Sequence, residues 1–123
     1  MKSKFLYVGI RVKDLQKSSD FYSKLLGMQV KGRSKVEQTK GETVGLESEG
    51  FTLELNYYEK ESPYYKEYVV GEGLDHLAFN VENLDKALEE ARAAGYRVIS
   101  EMKSNGSRWA YVEDPNGIWI ELF

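Results

Sequence analysis

The sequence predicts an α+β fold of two tandem β-α-β-β-β modules, which form a curved mixed sheet with helices on its outer face. The stretch Gly-Phe-Thr-Leu-Glu-Leu at 50–55 returns as Gly-Ile-Trp-Ile-Glu-Leu at 117–122. The strand patterns that open the two halves also match, at an offset of 69 residues. Internal repetition on this scale indicates a duplicated unit. A strand, a helix and three further strands in each copy favour helices layered on one face of a sheet.

The first module spans residues 1–58. Apolar and polar residues alternate over 4–12, which predicts a strand. Asp14 is a suitable N-cap for the helix that follows, whose apolar residues recur at helical spacing until Gly27 provides a left-handed stop. Three more strands are predicted near 29–36, 43–49 and 51–58.

Residues 59–73 are interpreted as the linker between the modules. The segment carries Pro63, Gly71 and Gly73 together with several charges. It also holds Tyr64, Tyr65 and Tyr68, which suit either packing or a lid over a binding site.

The second module spans residues 74–123 and repeats the order of the first. A strand over 74–81 precedes a helix that begins after Asn83 and ends at Gly95. Further strands are predicted near 96–102, 108–113 and 117–123. The run Asp-Pro-Asn-Gly at 114–117 joins the last two strands, and all four residue types favour turns.

Composition limits the functional classes that remain. The 123 residues suffice for one domain with its own core, and 41% of them are hydrophobic. A formal net charge of −3 implies no general attraction to nucleic acid. The absence of cysteine excludes disulfides, thiolate metal sites and cysteine nucleophiles. Without an apolar run of membrane-spanning or signal-peptide length, we expect a soluble, cytoplasmic protein with no membrane partner.

The candidate site combines the two repeated glutamates with the histidine. Glu54 and Glu121 lie opposite the apolar side of their strands, and His76, the chain's single histidine, lies on the same side. An imidazole and two carboxylates suit a divalent cation and leave positions open for water or substrate. Solvated carboxylates beside a hydrogen-bonded histidine would give the same pattern. Arg11, also on this side, suits either a structural ion pair or an anionic substrate group.

The motifs and their order resemble the glyoxalase, bleomycin-resistance and extradiol-dioxygenase superfamily, the vicinal oxygen chelate fold. The likeness covers nearly the whole chain and is closest to glyoxalase I. It rests on the segments 9–15, 19–22, 25–28, 53–55, 75–79, 112–117 and 120–122. The extradiol dioxygenases favour two histidines, whereas this chain has one.

The resemblance implies a metal-dependent isomerase or lyase acting on the hemithioacetal of methylglyoxal and a thiol. In glyoxalase I, four side chains hold a divalent metal, such as nickel, cobalt, zinc or manganese. Three of those positions match Glu54, His76 and Glu121, and the fourth, commonly histidine, falls on Tyr7. A neutral phenol is a poor metal ligand. Glu121 matches the carboxylate that moves a proton between neighbouring carbons through an enediolate.

The resemblance also implies how substrate and subunits are arranged. Arg11 matches an arginine that helps to hold glutathione, and Lys103 falls near a lysine with a similar role. An asparagine used for glutathione falls on Tyr58. Relatives of this length commonly form homodimers whose sites are shared between chains. The alternatives are a coenzyme A-ester epimerase, or a metal-free or weakly metal-binding resistance protein that sequesters a small molecule.

Overall fold

The computed structural model describes residues 2, 6–72, 74 and 76–123. The chain divides into two compact units, Met1–Tyr68 and Val69–Phe123.

The first unit contains one four-stranded mixed sheet. Its elements in chain order are β1 (Val8–Arg11), α1 (Leu15–Asp20), a π-helical turn (Phe21–Leu25), β2 (Gln29–Val36), a 3-10 turn (Glu37–Thr39), β3 (Gly41–Ser48) and β4 (Phe51–Tyr58). The strand order is β1-β4-β3-β2, with β1 parallel to β4 and the other pairs antiparallel.

The first helix begins as its sequence predicts and ends differently. The Asp14 carboxylate accepts from the Lys17 backbone N–H at 2.9 Å, which confirms the N-cap. After Asp20 the helix widens into the π-helical turn, where the Leu26 N–H donates to the Phe21 carbonyl five residues earlier. This wider turn fully buries the Phe21 and Tyr22 side chains.

The second unit repeats the arrangement of the first. Its elements are β5 (His76–Phe79), α2 (Leu84–Ala93), β6 (Val98–Ser104), β7 (Ser107–Glu113) and β8 (Trp119–Leu122). The strand order is β5-β8-β7-β6, and β5 is parallel to β8. Gly9 pairs with Glu54 in the first sheet, and Ala78 pairs with Glu121 at the equivalent place in the second. The predicted α+β fold with tandem modules is therefore confirmed.

Helix α2 packs on its sheet through both apolar and charged contacts. Asn83 caps it by accepting from the Lys86 N–H, and Leu88 and Ala91 are buried. In the first turn Asp85 binds Arg108 of β7 with two hydrogen bonds, the shorter at 2.8 Å. This guanidinium lowers the pKa of the Asp85 carboxyl.

The terminal parts of two predicted strands fall partly outside the described residues. In the strand predicted over 4–12, Lys4 and Phe5 lie outside the described residues, and β1 begins at Val8. In the strand predicted over 74–81, Asp75 lies outside the described residues, and β5 begins at His76. Within the described part of the chain, no helix is long and apolar enough to span a membrane.

Residues 59–68 of the predicted linker belong to the first unit. The Glu59 N–H donates to the Lys40 carbonyl at 2.9 Å, and the Ser62 hydroxyl donates to the Thr39 carbonyl. The Tyr64 ring lies 6.2 Å from that of Tyr58, measured between centroids. The segment is therefore tied to the end of the first sheet, which agrees with the packing interpretation for Tyr64.

Candidate active site

The buried turn before β8 sets where that strand begins. Asp114 is 4% exposed, and its carboxylate accepts from the backbone N–H groups of Asn116 and Ile118, each at 2.8 Å. Gly117 has φ = +85°, a left-handed conformation that favours glycine. The apolar side of the strand, Ile118, Ile120 and Leu122, is buried. Glu121 consequently faces the other side of the sheet.

The second unit brings His76 and Glu121 together on that other side. His76 Nε2 lies 3.3 Å from Glu121 Oε2, with side-chain exposures of 35% and 17%. The Tyr111 hydroxyl donates to Glu121 Oε1 at 3.1 Å. The carboxylate thus has one oxygen directed at the imidazole and the other held by a phenol.

Aromatic rings frame this pair. The Tyr111 ring meets the His76 ring edge-on, with centroids 5.8 Å apart, and lies equally far from the Trp119 ring. Sequence reasoning missed Tyr111, although it placed a strand at 108–113. Tyr111 lies directly opposite Glu121 in the antiparallel β7–β8 register, and directly opposed residues share a face.

The geometry of the pair is compatible with a metal ion. Two ligand atoms bonded at about 2.1 Å to one ion lie about 3.0–3.4 Å apart in octahedral or tetrahedral geometry, so the His76–Glu121 separation fits. The same separation also suits a direct N–H···O contact. Among the described residues, no three histidine, aspartate or glutamate side chains cluster closely enough to hold a metal. The second unit alone therefore supplies two of the predicted ligands.

Glu54 occupies the equivalent place in the first unit. It is half-buried on β4, between the buried Leu53 and Leu55, whereas Phe51 at the start of the strand is 76% exposed. Its cross-strand neighbours are Gly9 and Gly45. Among the described residues, its two chain neighbours aside, no heavy atom lies within 4 Å of the place where a Cβ on Gly45 would stand. Where the second unit has Tyr111, the first therefore leaves open space beside the carboxylate.

Of the remaining predicted residues, Tyr7 and Arg11 belong to the first unit and Lys103 to the second. Tyr7 precedes β1 in the first unit and is about half exposed. Arg11 lies over the Tyr58 ring, with its Cζ 5.6 Å from the ring centroid. Lys103 of β6 pairs with Arg108, so the register places it on the α2 side of its sheet and not beside Glu121.

Nearly the whole chain matches one known protein family. The sequence profile described as Glyoxalase/Bleomycin resistance protein/Dioxygenase superfamily matches residues 4–122. The chain belongs to this superfamily.

Relatives within the superfamily share both sequence and fold. The lactoylglutathione lyase of Escherichia coli O157:H7 is 35% identical over 126 residues, covering 97% of this chain and 90% of the relative. Lactoylglutathione lyase GLX1 of Arabidopsis thaliana is 32% identical, and the match covers 97% of this chain. The chain spans less than half the length of that plant protein and of another from Brassica oleracea. The trypanothione-dependent glyoxalase I of Leishmania major superposes with a TM-score of 0.76 at 30% identity, covering 99% of this chain and 86% of that one.

Proposed function

We propose that this protein is a metal-dependent lyase of the glyoxalase I type, working in the cytoplasm on the hemithioacetal of methylglyoxal and a thiol. The observation that carries the proposal is the His76–Glu121 pair, held at metal-ligand separation in a family whose relatives here are lactoylglutathione lyases. The Leishmania major relative is described as trypanothione-dependent. The identity of the thiol therefore stays open in the proposal.

The chemistry requires one proton to move between neighbouring carbons. Glu121 takes the proton from the carbon that bears sulfur and hydroxyl and returns it to the adjacent former carbonyl carbon. The hydroxyl proton passes to the former carbonyl oxygen, so the hemithioacetal becomes a thioester of a 2-hydroxy acid. The hydrogen bond from Tyr111 orients this carboxylate. A positioned carboxylate acting as general base contributes a rate factor of roughly 10²–10⁴.

Glu54, His76 and Glu121 are the proposed protein ligands of the metal. A divalent ion, when bound, supplies positive charge that polarises the substrate oxygens. Tyr7 stands where the family has its fourth ligand, and because a neutral phenol is a poor ligand, water would complete the set when a metal is bound. That Arg11 and Lys103 contact the substrate stays a prediction.

The direct test is the conversion of methylglyoxal and glutathione, followed as thioester formation with nickel, cobalt, zinc and manganese in turn. Thioester formed with at least one metal, and lost on chelation, would support the proposal. No thioester with any of these metals would refute the glutathione-dependent activity. Sequestration of a small molecule, or epimerisation of a coenzyme A ester, would then become the leading function.

Restoring a histidine at position 7 is expected to strengthen the metal site. Tyr7→His replaces a neutral phenol by an imidazole, a good ligand for nickel, cobalt and zinc. We expect the dissociation constant for zinc to fall on the order of tenfold or more, and turnover to rise if metal occupancy limits it. Calorimetric titration of chelator-treated protein measures this, with Tyr64→His as the control for an added imidazole. Equal affinity in wild type and Tyr7→His would remove position 7 from the site.

We further propose a homodimer in which sites are shared between chains. Tyr7 and Glu54 of one chain would meet His76 and Glu121 of the other. The open space at Gly45 beside Glu54 supports this, because ligands from elsewhere have room there. Light scattering should report about twice the 14.1 kDa chain mass at micromolar concentration. A mass near that of one chain would contradict the shared-site arrangement.

A further inference from the structure

A basic cavity of about 270 Å³ lies in the first unit, where β1 and β4 end. Its lining includes four cations, Arg11, Lys13, Lys60 and Lys66, and one carboxylate, Glu67. The whole chain carries a net charge of −3, so the local charge of this cavity is opposite in sign to the net charge of the protein. A concave surface lined by charges of one sign concentrates ligands of the opposite sign.

Tyrosine rings hold two of the cations at this cavity. The Arg11 guanidinium lies 5.6 Å from the centroid of the Tyr58 ring, and the Lys13 ammonium lies 5.4 Å from that of Tyr68. Such cation–π contacts stabilise the positions of the charges. A ligand that binds charges already in place loses less free energy to ordering flexible side chains.

The cavity lies on the same side of the first sheet as Glu54. Arg11 and Tyr58 share the face of Glu54, because Tyr58 follows Glu54 by four residues on β4 and Arg11 pairs opposite Asn56. Four residues of strand correspond to about 13 Å. A substrate with its reacting end near Glu54 would therefore place a remote group in the cavity.

We propose that the cavity binds a polyanionic group, with at least two negative charges a few ångströms apart, on the part of the substrate remote from the reacting carbons. Phosphate esters and clustered carboxylates share this chemistry. The substrate assignment rests on the proposed function, whereas binding of the polyanion itself does not. Glutathione carries two carboxylates and one ammonium at neutral pH, so its net charge matches the four cations poorly. The volume of the cavity lies just below the usual range for ligand pockets and suits one such group.

The test is calorimetric titration of the whole protein with glucose 1,6-bisphosphate, tricarballylate and glutathione. We expect one of the two polyanions to bind at least tenfold more tightly than glutathione. Which one binds more tightly identifies the phosphate or the carboxylate source. Affinity should fall as salt is added, because exposed charges are screened.

Matched charge variants locate the binding. Lys60 and Lys66 are exposed, so Lys60→Gln/Lys66→Gln removes two cavity charges without disturbing the core. We expect it to weaken polyanion binding by about tenfold. Lys31→Gln/Lys35→Gln makes the same charge change on β2, which is separated from β4 by β3, and should bind like wild type.

Two results would overturn the inference. One is that neither polyanion binds more tightly than glutathione. The other is an equal loss of affinity in both double variants, since that would show general charge attraction. None of these titrations requires turnover, so a negative thioester assay would refute the proposed function and leave polyanion binding standing. Conversely, efficient turnover of the glutathione adduct without polyanion binding would refute only the inference.

Discussion

Replacing Glu121 by glutamine is expected to reduce turnover by roughly 10²–10⁴-fold, the usual contribution of a general base. The amide keeps the shape of the side chain and an oxygen that can accept from Tyr111, but it cannot take up a proton. The substitution should lower kcat more than it weakens substrate binding. Steady-state thioester formation, measured at saturating metal, gives both parameters.

Glu101→Gln is the matched control for this substitution. Glu101 lies on β6 of the same sheet, where it pairs with Arg92 of α2, away from the Glu121 side. We expect its kcat to stay within about twofold of wild type, since exposed ion pairs contribute little. If Glu121→Gln retained wild-type kcat at full metal occupancy, another group would have to be the base.

Replacing His76 by alanine is expected to weaken metal binding by on the order of 100-fold. Removal of a group that only supports a ligand already costs about 10–100-fold, and a direct ligand should cost at least as much. Calorimetric titration of chelator-treated protein with nickel or zinc would measure the change. The wild type should bind about one ion per site.

Tyr111→Phe separates loss of a ligand from loss of support. It removes the hydroxyl that donates to Glu121 and keeps the ring beside His76. We expect a smaller decrease in affinity, about tenfold. Equal titrations for wild type and His76→Ala would exclude His76 as a ligand and leave its contact with Glu121 a structural pair.

Local sequence determined most of the fold. The Asp14 and Asn83 caps were predictable because a side-chain oxygen beside a helix start acts over a few residues. Strands β2 and β4 have the bounds that alternation predicted, 29–36 and 51–58. The repeat of Glu54 and Glu121 at equivalent strand positions was also readable, since alternation assigns each residue to a face. The π-helical turn after Asp20 could not be predicted, because such turns are rare and the apolar residues of this segment fit ordinary α-helical spacing.

The sequence by itself determined which residues share a face, and only the tertiary structure decided which of them meet. His76 and Glu121 were assigned to one side by their strand positions, but their 3.3 Å contact depends on how β5 pairs with β8. The Tyr111 hydrogen bond and the open space at Gly45 likewise depend on cross-strand register. Register is set by turns and by packing between distant segments, so a one-residue slip would reverse every side chain. The basic cavity also depends on the tertiary structure, because residues 60–68 reach Arg11 only when the chain after β4 folds back on the sheet.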